Sequence, residues 1–156
     1  MLFRSYEILH QVGRFSIEEA QKEREMIPQE LRMRYHPFAY LTEQEYSWAL
    51  THARIVIGRS GANTVLELAA VGKPAVLIPL PWSSANEQYH NARFLEQNGS
   101  AVILDQSMTT ADSLVSAVSE IEKEYDSFQK SALALSKKIS RDGATNIVRV
   151  IESVLS

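Results

Sequence analysis

The chain has 156 residues, a mass of 17.6 kDa and 45% hydrophobic content, enough for one domain with a substantial core. Sixteen Lys and Arg against nineteen Asp and Glu give a net charge of −3, so no strong positive field is present to hold a nucleic-acid backbone. The absence of cysteine removes disulfide scaffolds, thiol catalysis and thiolate metal sites, and fits a reducing cytosol. His10, His36, His52 and His90 lack any metal-ligand spacing, so no metal site is expected. Apolar runs such as residues 75–78 fall far short of the roughly 20 needed to cross a bilayer. A soluble chain is expected, with peripheral membrane contact left open.

Residues 6–10 are short and apolar-rich, and Gly13 then turns the chain toward Ser16, a candidate N-cap for a helix over 17–24 with Glu19 at N3. Residues 31–38 alternate imperfectly and predict a short strand, with Pro37 tolerable at its end. Thr42 and Glu45 form a capping-box pair ahead of a helix to about residue 51. Residues 53–57 are β-branched and almost continuously apolar, as in a strand covered on both faces. After the tight junction 58–61, residues 64–71 take helical spacing, and Gly72 with Pro74 stops them. The cycle repeats: strand 75–78, loop 79–84, helix 86–97 closed by Gly99, strand 101–104. Thr110 introduces an amphipathic run carrying Leu114, Val118 and Ile121, and helices over 125–139 and 143–155 follow. Strands alternating with helices predict a Rossmann-like α/β fold, a parallel sheet with helices on both faces.

In such sheets ligands sit beyond the carboxyl ends of the strands. The segment Arg59-Ser60-Gly61-Ala62-Asn63-Thr64 opens a helix whose free N–H groups and positive end suit phosphate oxygens, with Thr64 adding a hydroxyl. It matches neither the Walker loop nor GxGxxG. Glu67, one turn further, suits the two hydroxyls of a ribose. After the next strand, Glu87, Gln88 and Asn91 suit a neutral sugar, with Trp82 and Ser83 nearby. Phe38, Tyr40 and Leu41 offer an apolar wall for a base, and His10 a phosphate contact. Each has a plainer reading. Ser60-Gly61 is also an ordinary strand-to-helix turn, Glu67 a charge on a helix dipole, the 83–91 group a solvated face, and His10 a structural histidine.

The runs 59–70, Gly72-Lys73-Pro74-Ala75, Ile78-Pro79 and 86–92, with His10-Gln11-Val12-Gly13-Arg14 before them, together resemble the C-terminal domain of the peptidoglycan N-acetylglucosaminyltransferases of glycosyltransferase family 28. The resemblance implies an inverting enzyme of the GT-B fold, a hexosyltransferase moving N-acetylglucosamine from UDP-N-acetylglucosamine to lipid-linked muramyl-pentapeptide in peptidoglycan synthesis. The nucleotide-sugar is the substrate and no cofactor is implied. Ser60, Gly61, Ala62, Asn63 and Thr64 match the diphosphate loop, Glu67 the ribose acid, and Glu87, Gln88 and Asn91 the sugar cluster. Position 87 is often glutamine in the family. Phe38, Tyr40 and Leu41 fall near the uracil pair, with the register blurred by extra residues before Ala53.

The resemblance also implies a first, central strand and its phosphate loop ahead of residue 6, so the chain is expected to be the C-terminal half of a GT-B fold lacking that strand. Residues 1–5 are expected to be a non-native leader, because Leu2-Phe3-Arg4-Ser5 is what a common sequencing adaptor encodes. The partial donor-binding domain then spans 6–156, with C-terminal helices over 111–156, the last of which crosses back to the other domain in an intact enzyme. An N-terminal acceptor domain, in the same chain or as a separate subunit, is the implied partner. It would bring the catalytic base, left unassigned here, and any peripheral association with the inner face of the membrane of a cytoplasmic enzyme. The isolated chain is expected to be inactive. A non-catalytic or split-enzyme subunit, or a regulatory nucleotide-sugar-binding module, are the alternatives.

Overall fold

In the computed structural model, which describes residues 6–140 and 142–155, the chain divides into two units, Met1–Ala53 and Arg54–Ser156. The first carries β1 (Ile8–Gln11), α1 (Ile17–Met26), α2 (Gln29–Arg32), β2 (Tyr35–Phe38) and α3 (Glu43–His52). β1 and β2 run parallel, with Ile8 opposite Tyr35 and Gln11 opposite Phe38. The predicted leader, residues 1–5, lies outside the described residues.

Two expectations fail locally in this unit. The strand expected over 31–38 is only its second half, because Leu31 and Arg32 donate backbone N–H groups to the Pro28 carbonyl and close a helical turn. Proline fixes the geometry of that turn's start. Ser16 precedes α1, but its backbone is at φ −108°, ψ 0° and its side chain makes no cap hydrogen bond. A useful N-cap residue is extended instead. Thr42 is extended, at φ −63°, ψ 163°, and the full capping box with Glu45 forms around it.

The second unit carries β3 (Val56–Gly58), α4 (Ala62–Val71), β4 (Ala75–Leu77), α5 (Glu87–Gln97), β5 (Ala101–Ile103), α6 (Ala111–Lys123), α7 (Tyr125–Ser136) and α8 (Gly143–Leu155). Its sheet is parallel in the order β3-β4-β5, and Ala75, Val76 and Leu77 of the middle strand are wholly buried. Such strands need no alternation of apolar and polar residues, which is why they read as continuous apolar runs. Both sheets are parallel and flanked by helices. Among the described residues the five strands form two hydrogen-bonded sheets, β1-β2 and β3-β4-β5.

Helices close on this sheet through small residues and glycine turns. Gly72 ends α4 in the left-handed region at φ 67°, and a Cβ there would lie 3.1 Å from Leu133 Cδ2 and 3.3 Å from the Ala132 carbonyl. Gln129 of α7 donates to the Gly72 carbonyl at 2.9 Å, fixing the same approach. Leu68, Leu95, Ile121 and Leu135 fill the core between these elements. Arg54 bridges onward, with its guanidinium on Glu122 at 2.8 and 3.0 Å and over the Tyr125 ring at 3.6 Å. By contrast, α8 leaves Ile147, Val148, Val150, Ile151 and Val154 exposed. Among the described residues no helix is long and apolar enough to cross a membrane.

Candidate functional site

The second unit gathers its polar residues at the carboxyl ends of β3 and β4. β3 ends at Gly58, and three residues later α4 begins with Gly61 as N-cap. Gly61 has ordinary backbone angles, φ −60° and ψ 154°, and nothing lies within 4 Å of where a Cβ would stand. The glycine therefore keeps open space at the helix mouth; no special backbone angle requires it. The first helical bond runs from Val65 N–H to the Gly61 carbonyl. The N–H groups of the preceding turn receive no side-chain cap, and no acidic residue occupies that turn. The helix start thus turns unpaired N–H groups and a positive end toward open space.

Ser60 is fully buried, and it stitches this loop to α5. Its hydroxyl donates to the Gln88 carbonyl at 2.7 Å, while Asn91 Nδ2 donates back to the Ser60 carbonyl at 3.2 Å. Gln88 Oε1 accepts from Leu80 N–H at 3.1 Å, and Gln88 N–H approaches Ser83 Oγ at 3.3 Å. Three of the residues expected at the ligand thus hold the two loops together. Among the described residues these bonds leave Gln88 Nε2 as a donor and Asn91 Oδ1 as an acceptor. Thr64 is half-buried in the first turn of α4, with Glu67 exposed one turn beyond and Ala62 and Asn63 exposed at the start. Glu87 is exposed at the first residue of α5.

Immediately before Glu87 the backbone is strained. Ala85 and Asn86 both take positive φ, 49° and 56°, although neither is glycine. A left-handed Ala costs roughly 1–2 kcal/mol, and such positions collect at ligand-binding loops. Asn86 stands at the N-cap of α5 without a side-chain cap bond, and the first N–H groups of that helix turn instead to the Ser84 carbonyl and to Ser83 Oγ.

The residues expected beside a base belong to the first unit. Phe38 and Leu41 line an open apolar pocket of about 340 Å³ with Leu9, Trp48 and Ala49. Tyr40 is not part of it; its ring lies under the Arg14 guanidinium at 5.3 Å. Glu45 reaches the same pocket, yet its carboxylate is held by the Thr42 N–H and hydroxyl, both at 2.8 Å, which keeps its pKa below the usual carboxylate range. Gln11 Oε1 accepts from Leu41 N–H at 3.0 Å and ties the strand ends together. His10 Nδ1 lies 2.9 Å from the Tyr35 hydroxyl. Loss of solvent around the ring lowers the His10 pKa, opposed by the nearby Glu23 carboxylate. A neutral ring already paired with a tyrosine is a weak phosphate ligand.

Sequence reasoning passed over one residue here. Arg59, between β3 and Ser60, donates from Nη1 to the Ile78 carbonyl at 2.9 Å and to Gln106 Oε1 at 2.6 Å. Its place directly after a strand was the available signal.

This architecture, a parallel α/β unit with an uncapped helix start and a polar cluster at adjoining strand ends, is that of a Rossmann-like domain. The chain belongs to the glycosyltransferase family 28 C-terminal domain family, whose model matches residues 2–147. The UDP-N-acetylglucosamine–N-acetylmuramyl-(pentapeptide) pyrophosphoryl-undecaprenol N-acetylglucosamine transferase of Azotobacter vinelandii is 35% identical over 149 residues, covering 91% of this chain and 38% of that protein. The protein of the same name from Coxiella burnetii is 41% identical over 106 residues, 67% of this chain and 28% of its own. The crystal structure of MurG from Acinetobacter baumannii superposes with a TM-score of 0.77 at 25% identity, over 94% of this chain and 42% of that one. The chain thus spans about a third of the length of the curated relatives it matches.

Proposed function

We propose that this chain is the donor-binding part of an inverting glycosyltransferase that moves N-acetylglucosamine from UDP-N-acetylglucosamine to a lipid-linked muramyl-pentapeptide. The observation that carries the reading is the uncapped start of α4 at the end of β3, with Thr64 and Glu67 on its first two turns. There the N–H groups and the positive helix end receive the diphosphate, and Thr64 adds a hydroxyl donor. Glu67 accepts from the ribose hydroxyls. Glu87, Gln88 Nε2 and Asn91 Oδ1 address the sugar hydroxyls, and the bonds of Ser60 to Gln88 and Asn91 hold that group against the phosphate loop. The relatives named for this transfer support the choice of donor and acceptor.

In this reaction the acceptor hydroxyl attacks the anomeric carbon from the face opposite UDP. The bond between that carbon and the phosphate oxygen breaks, its electron pair leaves with UDP, and the hydroxyl proton passes to a base. Groups that hold the departing diphosphate more tightly than the intact donor speed bond cleavage. The base and the acceptor contacts belong to the acceptor-binding part of the enzyme.

Titration calorimetry of the chain with UDP-N-acetylglucosamine, UDP and ADP tests the reading. One-to-one binding that UDP displaces and ADP does not is expected, and Thr64→Ala weakens it by about 0.5–1.5 kcal/mol, roughly 2- to 13-fold, since backbone donors remain. Equal displacement by ADP, or no binding of either uridine nucleotide, contradicts it.

A further inference from the structure

A surface helix ordinarily buries one face, and α8 buries none. Every described residue of it is exposed, with Ile147 and Val150 at 62% and Val154 at 79%. Its thirteen residues are close to the length below which a helix is marginal in water, and six of them are β-branched. Something outside the described residues must supply the packing. At 3.6 residues per turn, Val150, Val154, Ile147, Ile151 and Val148 follow one another around an arc of about 160°, and Thr145, Asn146, Arg149, Glu152 and Ser153 fill the remainder. Such complete segregation suits a boundary that is apolar on one side and wet on the other.

Charge says which boundary. Residues 1–126 carry eleven Lys and Arg against seventeen Asp and Glu, whereas residues 127–156 carry five against two. Lys130, Lys137 and Lys138 are exposed, and among the described residues none of them stands beside a carboxylate, although Arg24, Arg32, Arg54 and Arg93 all do. Lys137 caps the end of α7, and Lys138 N–H is held by the Leu135 carbonyl at 2.8 Å. The turn onward is tied as well, because Asn146 Nδ2 of α8 donates to Ser140 Oγ at 2.8 Å. The two lysines thus keep a fixed place just ahead of the aliphatic arc. Another protein domain would cover that arc without calling for cations, and a second copy of the chain would set one cationic tail against another. An anionic bilayer uses both features.

We propose that α8 lies along an anionic membrane surface, with its aliphatic arc among the upper acyl chains and Lys137 and Lys138 on the lipid phosphates. At about 20 Å the helix is too short to cross the hydrocarbon, so it rests in the headgroup boundary. The acidic remainder of the chain is repelled by the same surface and stays on the aqueous side. Donor binding through α4 and α5 is separate from this contact, so the two readings fail independently.

The test is flotation of the chain with vesicles of phosphatidylcholine alone, and of phosphatidylcholine with phosphatidylglycerol, at low and high salt. The parent should float with the anionic vesicles, gain helical circular dichroism on them, and float less as salt rises. The double substitution Ile147→Glu with Ile151→Glu, and separately Lys137→Glu with Lys138→Glu, should each weaken that binding about tenfold or more. Arg149→Gln, on the opposite face, should change it less than about twofold. Because all these positions are exposed, circular dichroism without vesicles should match the parent outside α8, and UDP titration should be unchanged. Failure to float, or equal flotation with both vesicle types, overturns the proposal. So does binding that the lysine variant abolishes and the isoleucine variant leaves intact, since the helix would then have no part in it. A concentration-dependent dimer in light scattering that the isoleucine variant disperses, with no vesicle binding, would show that a second copy covers α8 and would overturn it too.

Discussion

β1, Ile-Leu-His-Gln, and β4, Ala-Val-Leu, are both short parallel strands, and they differ sharply in burial. Ala75, Val76 and Leu77 of β4 are 0% exposed, whereas no residue of β1 is fully buried and Leu9 is 44% exposed. β4 is paired on both edges, with β3 and β5, while among the described residues β1 pairs with β2 alone. Burial follows the number of neighbours a strand acquires, and apolar composition only permits it. It also has a functional side. The loops that carry the candidate phosphate and sugar residues hang from the fully covered strand and its partner, so their geometry is set by a packed core.

Core substitutions should expose the contrast most strongly. Leu77→Ala removes a wholly buried side chain and is expected to cost about 2–5 kcal/mol, whereas Leu9→Ala, already half solvated, should cost less than about 1 kcal/mol. Urea unfolding of the two variants compares them directly. Equal losses would show that β1 is as covered in solution as β4.

A smaller effect separates the two units by pH. Loss of solvent lowers the His10 pKa from its ordinary value of 6.5, partly offset by Glu23, so the folded state favours the neutral ring paired with Tyr35. Between the lowered value and 6.5 the unfolded chain binds more protons, and stability rises with pH. The contribution is whole above about pH 6.5 and disappears as pH falls through the lowered value. It should be modest, since His10 keeps an exposed surface that screens it. Comparing the parent with His10→Gln by thermal melting between pH 5 and 8 checks this. A parent that gains stability relative to His10→Gln on acidification would reverse the assignment.

The alternation of strand and helix was legible because glycine and proline punctuate it and because residues 53–57 and 75–78 are continuously apolar. Local motifs closed within a few residues were legible as well. The Thr42 and Glu45 capping box forms, and Gly72 and Gly99 take φ of 67° and 69°. Less visible was the turn at Pro28, where apolar alternation over 31–38 concealed a helical start whose bonds depend on one proline carbonyl. Least visible were the bonds that assemble the candidate site. Arg59 to Ile78 and Gln106, Ser60 to Gln88 and Asn91 to Ser60 join residues 19 to 47 positions apart through side chains. Such contacts leave no periodic trace in a sequence, so residues chosen for ligand contact turned out also to lock the loops. The left-handed Ala85 had no signal either, since the type-specific preference for that geometry points to glycine and asparagine.

In the proposed function the first turns of α4 read a nucleotide, with Glu67 on its ribose. The most direct measurement is calorimetric titration of UDP and 2′-deoxy-UDP into the parent chain and Glu67→Ala. Removing one charged hydrogen-bond acceptor should weaken UDP by about 1.5–3 kcal/mol, roughly 10- to 150-fold. The parent should already bind 2′-deoxy-UDP weakly, and Glu67→Ala should lose little more, as coupled partners do. Equal UDP affinity in the parent and in a folded Glu67→Ala would contradict the claim and leave Glu67 as a charge on a helix surface.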